Sequence, residues 1–501
     1  MRIKNLIIPL FCLVTIHVQA QDNWLTKKQI TEDVEFLTKT LNEKSSYAYL
    51  NGFDFNKDFE NYLTSLKDST QLENFGLFIT NTLAKIGDRH SALNGIRGYS
   101  LNESLFLPFV YAPVNDKVVV LNYDQDKTLK ILNPRFPYLK KIDGLDIDEF
   151  LQKTRPEDIK APKETYFTLA VRDIRDIQKN YILLDKALPK EIELTLSDDL
   201  FQNDTTLIVP VIGKSERQRP WDEKFERDYL FIKDEDFNQP EIIDGLFSLD
   251  DQIAYIKLPE MVRKDEAPLL FEKVNSFMKS IRNDSEALII DVRANGGGTR
   301  DLLYEFAKYL IHPDSVHVIN VVKQRGPLPL PKDYKESLHS RFLYSFSELN
   351  DREQKKVTGF LKNFNPMYEL DNAKYSEYHF GLLNGEKLST EGLYYNKPIY
   401  ILANEKTFSA ASVFVSDFKG IPNIKIVGVT TDGSSGNSNW VDLPNSKLFG
   451  KISTMVSFQK NGKVLDGYGT TPDIKIERDM NQVLWQSDTQ LEKLRALIKE
   501  K

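Results

Sequence analysis

Residues 287–298, ALIIDVRANGGG, decide how the rest of the chain is interpreted. The apolar run 287–290 has the length and the unbroken hydrophobicity of a strand buried on both faces. Three consecutive glycines then open the backbone, and their N–H groups can point at an anion. The turn is neither a P-loop, since no Gly-Lys-Ser/Thr follows, nor a Rossmann fingerprint, since the glycines are contiguous. A tight turn without any ligand explains the glycines equally well.

Outward from this turn, strands alternate with amphipathic helices, which predicts an α/β core with a largely parallel sheet. The predicted strands are 253–256, 287–290, 398–402 and 425–429, and the predicted helices are 268–281, 302–310 and 409–418. The stretch 322–385 is rich in charged and aromatic residues. We interpret that stretch as a helical insertion that could act as a lid.

The predicted secondary structure changes along the region before the core, from helices to short strands and then to a polar segment. Helical spacing predicts helices over 31–41 and 74–86, the second ending at Gly87. Short β-type runs follow in 101–214. Residues 215–242 are polar and charged and are typical of a linker.

The composition is that of a folded globular chain, with 41% hydrophobic and 28% charged residues among 501. At about 150 residues per domain, this length predicts roughly three domains. Lys plus Arg number 66 against 73 Asp plus Glu, so the net charge is −7. That balance argues against a nucleic-acid partner, because such proteins present a basic face.

The first 20 residues have the pattern of a signal peptide. Arg2 and Lys4 precede a nearly unbroken apolar run, 6–18, that is too short to span a bilayer comfortably. Small residues stand at the −3 and −1 positions of a cleavage site before Gln21. We expect export to a periplasm or the extracellular space, with no membrane span after cleavage; an uncleaved anchor is the alternative. The only cysteine, Cys12, lies in this run, so the mature chain would hold no disulfide or Cys-based zinc site.

Ser409 is a candidate nucleophile. It stands among small residues between a predicted strand and a predicted helix, in the segment Thr407–Ser412. That position exposes the Oγ and brings the N–H of Ala410 near a developing oxyanion. A serine that only caps the helix is the alternative, and such serines are far commoner.

A nucleophilic serine needs a base, and neutral histidine is the usual one. His90 directly follows the helix that ends at Gly87. Four other histidines lie after residue 20, so residue type alone does not choose among them: His312, His317, His339 and His379. No pair has the spacing of a zinc-binding helix, and we expect no metal and no cofactor.

A carboxylate that could orient the base stands in the turn 465–469, LDGYG. Asp466 is that carboxylate, and Pro472 and Asp473 follow the turn. Turn chemistry explains this composition on its own.

Four segments, in this order, resemble the S41 peptidase family of carboxyl-terminal processing and tricorn-like serine proteases. LAKIGDRHSAL resembles the family's Leu-x-Asp-x-His signature, and ALIIDVRANGGG its Asp-x-Arg-x-Asn-x-Gly-Gly strand and turn. YILANEKTFSAAS resembles its strand and nucleophile helix, and VLDGYGTTPDI its Glu-Gly-x-Gly-x-x-Pro-Asp-type turn. In addition, LPFVYAPVNDKVVVL through YLKKIDGLDIDEFL resembles the family's PDZ-like module.

The resemblance implies an α/β fold: a crotonase/ClpP-like catalytic core with an N-terminal helical domain and a PDZ-like β-rich domain. The predicted organisation is a signal peptide (1–20), an N-terminal helical domain carrying the base (21–100), a PDZ-like domain (101–214), a linker (215–244), a catalytic core (245–480) with a helical insertion (322–385), and a C-terminal helix (481–501). The implied activity is an exported serine endopeptidase acting on polypeptides, which the PDZ-like module would hold by their C-termini through strand addition. Whether the chain forms an oligomer stays open.

The resemblance assigns Ser409 as nucleophile and His90 as base, with Asp466 orienting the imidazole. Gly297, Gly298 and Ala410 are implied to form the oxyanion hole. The family's processing branch pairs its serine with a lysine, but that position, after GVTTDG, holds Ser434. The chain therefore lacks the Ser-Lys dyad and resembles the tricorn-like branch, and Ser434 is kept as a secondary candidate.

Two departures and two alternatives accompany this assignment. The tricorn-like branch has a serine just before its histidine, whereas this chain has Arg89, and Ser412 stands where the family often has Glu. A non-catalytic ligand- or peptide-binding protein on the same fold is one alternative, since vertebrate retinoid-carrying repeats that resemble this family bind apolar ligands. An esterase is the other, although no Gly-x-Ser-x-Gly elbow is present.

Overall fold

A computed structural model describes residues 24–96, 105–155, 161–223, 237–388 and 393–500. The predicted signal peptide, Cys12 among its residues, lies outside these ranges. Within them, no helix is both long enough and apolar enough to cross a membrane.

The N-terminal region is mainly helical. Thr26 caps the first long helix in a capping box with Gln29, which satisfies backbone N–H groups at the helix start. The third helix ends at Gly87, whose φ of 96° is the left-handed conformation common after helix C-termini. The elements are β1 (Trp24–Thr26), α1 (Lys27–Lys44), α2 (Phe55–Ser65), β2 (Ser69–Gln71), α3 (Leu72–Ile86) and β3 (Ala92–Ile96).

The second region is rich in strands, with three helices packed on one face of the sheet. Its elements are β4 (Val110–Val114), β5 (Lys117–Tyr123), β6 (Leu129–Ile131), β7 (Tyr138–Ile142), β8 (Leu145–Asp146), α4 (Ile147–Thr154), α5 (Lys163–Asp173), α6 (Ile177–Leu183), β9 (Glu191–Ser197) and β10 (Asp204–Pro210). The strands form an antiparallel sheet of order β10-β9-β7-β5-β4, with β6 beside β5 and β8 beside β7. Peptide binding by this region stays a prediction.

The third region contains the α/β core. Its first elements are α7 (Pro240–Gly245), β11 (Phe247–Asp250), β12 (Ile253–Lys257), α8 (Pro268–Asp284), β13 (Ala287–Asp291), α9 (Asp301–Leu310), β14 (Val316–Gln324), α10 (Lys332–His339), β15 (Leu343–Ser345), α11 (Asp351–Leu361), β16 (His379–Asn384) and α12 (Gly385–Leu388). Its last elements are β17 (Ile399–Ala403), α13 (Ser409–Phe418), β18 (Ile424–Gly428), β19 (Ser438–Asp442), β20 (Leu448–Ser453), β21 (Met455–Phe458), β22 (Ile474–Lys475), α14 (Met480–Val483) and α15 (Thr489–Lys499).

The central sheet has the order β11-β12-β13-β17-β18-β22, and all its pairs except β11–β12 are parallel. Its inner strands are buried on both faces, as their unbroken apolar runs predict. Alternate side chains point to opposite faces. Leu288 and Ile290 pack towards α8, α9 and α13, whereas Ala287 and Ile289 pack towards α15. The predicted α/β class is confirmed.

The N-terminal helices share a hydrophobic core with two smaller sheets, β15-β16-β14-β21 and β19-β20-β3. Strand β3 pairs with β20 from the far end of the chain, Ala92 opposite Lys451. His90 stands two residues before β3, so this pairing brings His90 to the core. The predicted N-terminal domain is therefore packed into the same body as the strands of the core.

Two predicted segments differ in the structure. The stretch 322–385 is not simply helical, because it contains β15, β16 and the end of β14 besides two helices and the start of a third. The segment 215–244 is not an extended linker in its described parts. Trp221 is buried and donates its indole N–H to the carbonyl of Val483, 3.2 Å away, and α7 closes the segment. The polarity of the local sequence did not predict these two features, because the residues that pack against both segments are distant in the sequence.

Candidate active site

Ser409 stands at the turn between β17 and α13. Its φ is +51°, in the left-handed region that residues other than glycine adopt at a cost and that is enriched at functional sites. The residue before the helix is Phe408, and no side chain caps this helix start. The hydroxyl of Ser409 is therefore not used as a helix cap, which removes the main alternative for this serine.

His90 is the residue that the Ser409 hydroxyl contacts. Its Nε2 lies 3.1 Å from the Ser409 Oγ, although the two residues are 319 positions apart. The imidazole stacks on the ring of Phe408, with centroids 4.9 Å apart. The other ring nitrogen, Nδ1, is buried without a hydrogen-bond partner in the described part of the chain. Stacking and the β3–β20 pairing, rather than a carboxylate, thus hold the ring in place.

The surroundings of His90 keep its imidazole neutral. Burial, together with the positive charges of Lys451, Arg89 and Arg341, lowers its pKa to about 4. A neutral imidazole at pH 7 is the form that can accept a proton from a hydroxyl.

The Gly-rich turn lies directly against the nucleophile. A Cβ on Gly297 would stand 2.6 Å from the Ser409 Cβ, so no other residue fits there without a shift. The N–H of Gly297 donates to Asn295 Oδ1 at 2.8 Å, however, and is not available to an oxyanion. The N–H groups of Gly298 and Ala410 have no acceptor among the described residues. The predicted hole is therefore corrected: Gly297 supplies space, while Gly298 and Ala410 hold the free donors.

Asp466 does not contact His90. Its carboxylate accepts hydrogen bonds from the Tyr47 hydroxyl at 2.9 Å and from the Ser435 hydroxyl at 2.8 Å. Burial raises the pKa of Asp466 to about 6, although these donors favour its charged form. Through these hydrogen bonds, Asp466 connects Tyr47 of the N-terminal region with Ser435 in the loop after β18. They do not orient the imidazole directly.

A second buried carboxyl, Asp88, lies near Asp466. Its Oδ1 accepts the N–H of Ser91 at 2.8 Å, whereas its Oδ2 has no partner in the described ranges. Burial raises the pKa of Asp88 to about 7, and the charge of Asp466 adds to the rise. Like charges in a dry environment disfavour double ionisation, so the two carboxyls hold less than two negative charges near neutrality.

Ser434 and Arg89 meet in a separate network. The Ser434 hydroxyl donates to Asp432 Oδ1 at 2.8 Å, and Arg89 pairs with the other oxygen of Asp432. The arginine that replaces the expected serine thus has a carboxylate of its own. The hydroxyl of the secondary candidate Ser434 thus binds the carboxylate of this ion pair rather than the nucleophile.

Ser409 opens into a cavity of about 680 Å³ that Gly298, Ala410 and Ser435 also line. No group of three or more potential metal ligands occurs among the residues that the structure describes. The residues that the sequence analysis missed are Tyr47, Phe408 and Ser435. Of these three residues, only Phe408 could have been predicted, from its position next to the nucleophile in the sequence.

A serine on a strained turn, with a neutral histidine at hydrogen-bond distance and free N–H donors beside it, is the arrangement of a serine hydrolase. The model of peptidase family S41 matches residues 252–476. Residues 252–476 belong to peptidase family S41, and they contain three of the four motifs, whereas LAKIGDRHSAL precedes them. The matched range contains Ser409 and Asp466, whereas His90 lies before it.

A curated protein of Chlamydia trachomatis serovar D is 23% identical over 269 residues, which are 49% of this chain and 45% of that protein. The chain thus matches less than half the length of this relative. Two solved structures of mature CPAF, the first complexed with lactacystin, align with a TM-score of 0.62. They are 16% and 15% identical and cover 95% and 94% of this chain and 99% and 97% of their own. At such identities, the likeness establishes the fold.

We predict that Gly297→Ala lowers the reactivity of Ser409 towards a fluorophosphonate by about 100-fold or more, the loss typical when oxyanion donors are displaced. The added Cβ would collide with Ser409, and φ at this position is +96°. Gly296→Ala is the matched control, because a Cβ there meets nothing within 4 Å. Labelling rates of both variants check the prediction. Equal rates for the two would show that the close approach does not matter.

Proposed function

We propose that this chain is a serine peptidase that hydrolyses peptide bonds through an acyl-enzyme on Ser409, with His90 as the base. The observation that carries the proposal is the 3.1 Å contact between His90 Nε2 and Ser409 Oγ at the head of a cavity. Membership of residues 252–476 in a peptidase family supports peptide bonds as the substrate class.

The proposed reaction begins when His90 Nε2 takes the proton of Ser409 Oγ as this oxygen attacks the peptide carbonyl carbon. The N–H groups of Gly298 and Ala410 donate to the resulting oxyanion. His90 then gives its proton to the leaving amine, and the C–N bond breaks to leave an ester on Ser409. Water, deprotonated by His90, attacks the ester and releases the acid while the proton returns to Ser409.

Asp466 acts in this proposal as a positioning residue. It binds Tyr47 of the N-terminal region and Ser435 of the loop that lines the cavity. Its negative charge also supports the imidazolium that forms during the reaction, although the two groups share no hydrogen bond.

We expect Ser409→Ala and His90→Ala to abolish cleavage of an unfolded protein such as reduced casein by residues 21–501, because each removes one partner of the proton transfer. Matched controls are Ser276→Ala, on the exposed face of α8, and His312→Ala, whose side chain is 54% exposed. Both controls should keep wild-type rates. Cleavage is measured by electrophoresis and mass spectrometry of the fragments.

The binding-protein alternative gives a different result in the same assay. Wild-type protein would then neither cleave casein nor form a covalent adduct with lactacystin, the compound present in one CPAF structure. An adduct on Ser409 with ester but no peptide turnover would favour an esterase. Cleavage that survives in His90→Ala would assign the base to another residue.

The pH profile tests the state of His90. Since the base works when neutral and its pKa is lowered to about 4, kcat/KM should stay level from pH 8 to about 5 and fall below that. Lys451→Gln removes one of the depressing charges and should move this acid limb to higher pH. If kcat/KM instead falls between pH 6 and 7, protonation of Asp88 and Asp466 determines the loss of activity. The variant Asp88→Asn would then shift the pH of this fall.

We also propose that the chain is exported and then cleaved before Gln21. The basic start, the short apolar run and the small residues before the cleavage site support this proposal. The N-terminal sequence of the protein recovered from a non-cytoplasmic fraction should begin with Gln21. A chain that keeps Met1 and sediments with membranes would contradict it.

A further inference from the structure

The cavity at Ser409 carries an excess of positive charge. Its charged lining residues, apart from His339, are Arg263, Lys264, Arg300 and Arg341 against Asp265 and Asp301. Asp265 pairs with Arg263 at 3.1 Å, whereas Asp301 accepts the backbone N–H of Lys264 at 2.9 Å and keeps its negative charge. The lining therefore has four basic side chains against two carboxylates.

Arg300 has a carboxyl in its neighbourhood, whereas Arg341 has none in the described residues. Burial lowers the pKa of Arg300, and the charge of buried Asp417 partly offsets this effect. Arg341 donates from Nη1 to the carbonyl and hydroxyl oxygens of Ser337, at 2.7 and 2.9 Å, and more weakly to Ser340. These bonds fix the guanidinium through one nitrogen. Its Nε and Nη2 have no acceptor within the described ranges.

Arg300 contacts the backbone of the segment that carries Arg341. Arg300 donates to the backbone carbonyl of Arg341 at 3.4 Å, which holds the segment that carries Arg341 against the cavity. Burial, together with the charge of Arg300, lowers the pKa of Arg341 to about 10. Arg341 still stays protonated at neutral pH, so a half-buried cation that has no carboxylate partner among the described residues lines the cavity. An anionic ligand would relieve this unfavourable arrangement.

Arg341 also lies near the reacting atoms. Its charge is one of three that lower the pKa of His90, and it lines the same cavity as Ser409 and Gly298. Of the other two, Arg89 is neutralised by Asp432 and Lys451 is exposed. Among the described residues, Arg341 is thus a partly desolvated cation without a carboxylate partner in the cavity that Ser409 lines.

We propose that Arg341 binds a side-chain carboxylate of the substrate in the Ser409 cavity, so that a peptide with an acidic residue near the cleaved bond is preferred. A guanidinium with two free nitrogens matches the two oxygens of a carboxylate, and such charge-assisted pairs are among the strongest hydrogen bonds in proteins. This inference rests on the proposed peptidase function and names the substrate chemistry of the same site.

Binding is tested first, without catalysis. The Ser409→Ala chain is dialysed against a peptic digest of casein, before and after methyl esterification of its carboxylates, and retained peptides are identified by mass spectrometry. We expect esterification to reduce retention about tenfold or more, the scale of a hydrogen bond to a charged group. Adding Arg341→Gln should abolish the difference, whereas adding Arg282→Gln, an exposed arginine on α8, should keep it.

Kinetics then identify the source of the carboxylate. Peptides spanning one mapped cleavage site are made with Glu or Gln at each position near the bond, and with a free or amidated C-terminus. One position should favour Glu over Gln about tenfold or more in kcat/KM, whereas a preference for the free C-terminus alone would contradict the acidic-residue subsite. That ratio should fall to within about twofold in Arg341→Gln and take an intermediate value in Arg341→Lys, which keeps the charge but loses the planar fork.

The outcomes separate this inference from the proposed function. Ser409-dependent cleavage without any acid preference, or with a preference that survives in folded Arg341→Gln, would overturn the carboxylate site alone. No cleavage by wild-type protein would overturn the peptidase proposal, while the dialysis experiment would still decide whether Arg341 binds carboxylates. Thermal melts of each variant show that it is folded, and Arg341→Lys replaces Arg341→Gln if the latter does not fold.

Discussion

The guanidinium of Arg293 is fully buried between two carboxylates, and the site depends on this arrangement. Arg293 donates to Asp291 at the end of β13 and to Asp488 at the start of α15, at 2.7 and 2.6 Å. The carboxylates raise the pKa of Arg293, and the arginine in turn lowers that of Asp291. Removing one partner of such a buried pair typically costs about 3–5 kcal/mol, because the other charge is left without compensation. The ion pairs therefore fix where the Gly-rich turn begins.

Hydrogen bonds of Asn295 connect the Gly-rich turn with the segment that carries the nucleophile. Its carbonyl accepts the N–H of Phe408, and its side chain binds Gly297 on one side and Leu258 on the other. Glycine at 297 then lets the turn approach Ser409 within a distance that excludes any side chain. The strained backbone of Ser409 persists because the surrounding bonds over-determine it.

Burial is the main reason that His90 is neutral, and the positive charges of Lys451, Arg89 and Arg341 add to it. The buried carboxyls Asp88 and Asp466 lie near each other, and their raised pKa values mean that the pair holds less than two negative charges near neutrality. In the proposed reaction, the positive charges favour the oxyanion, whereas the remaining negative charge favours the imidazolium.

The sequence by itself determined the local elements: the buried strand β13, the glycine turn, the end of α3 at Gly87 and the serine at the start of α13. Apolar periodicity and glycine conformations act over a few residues, so neighbours encode them. The choice of His90 among five histidines came from the family resemblance, and only the tertiary structure brought it to Ser409. Packing likewise decided that Asp466 binds Tyr47, that Gly297 donates to Asn295 and that Arg341 has no carboxylate partner within the described ranges. These contacts join segments far apart in the chain, and no local pattern specifies which buried polar groups will meet once the strands and helices pack together.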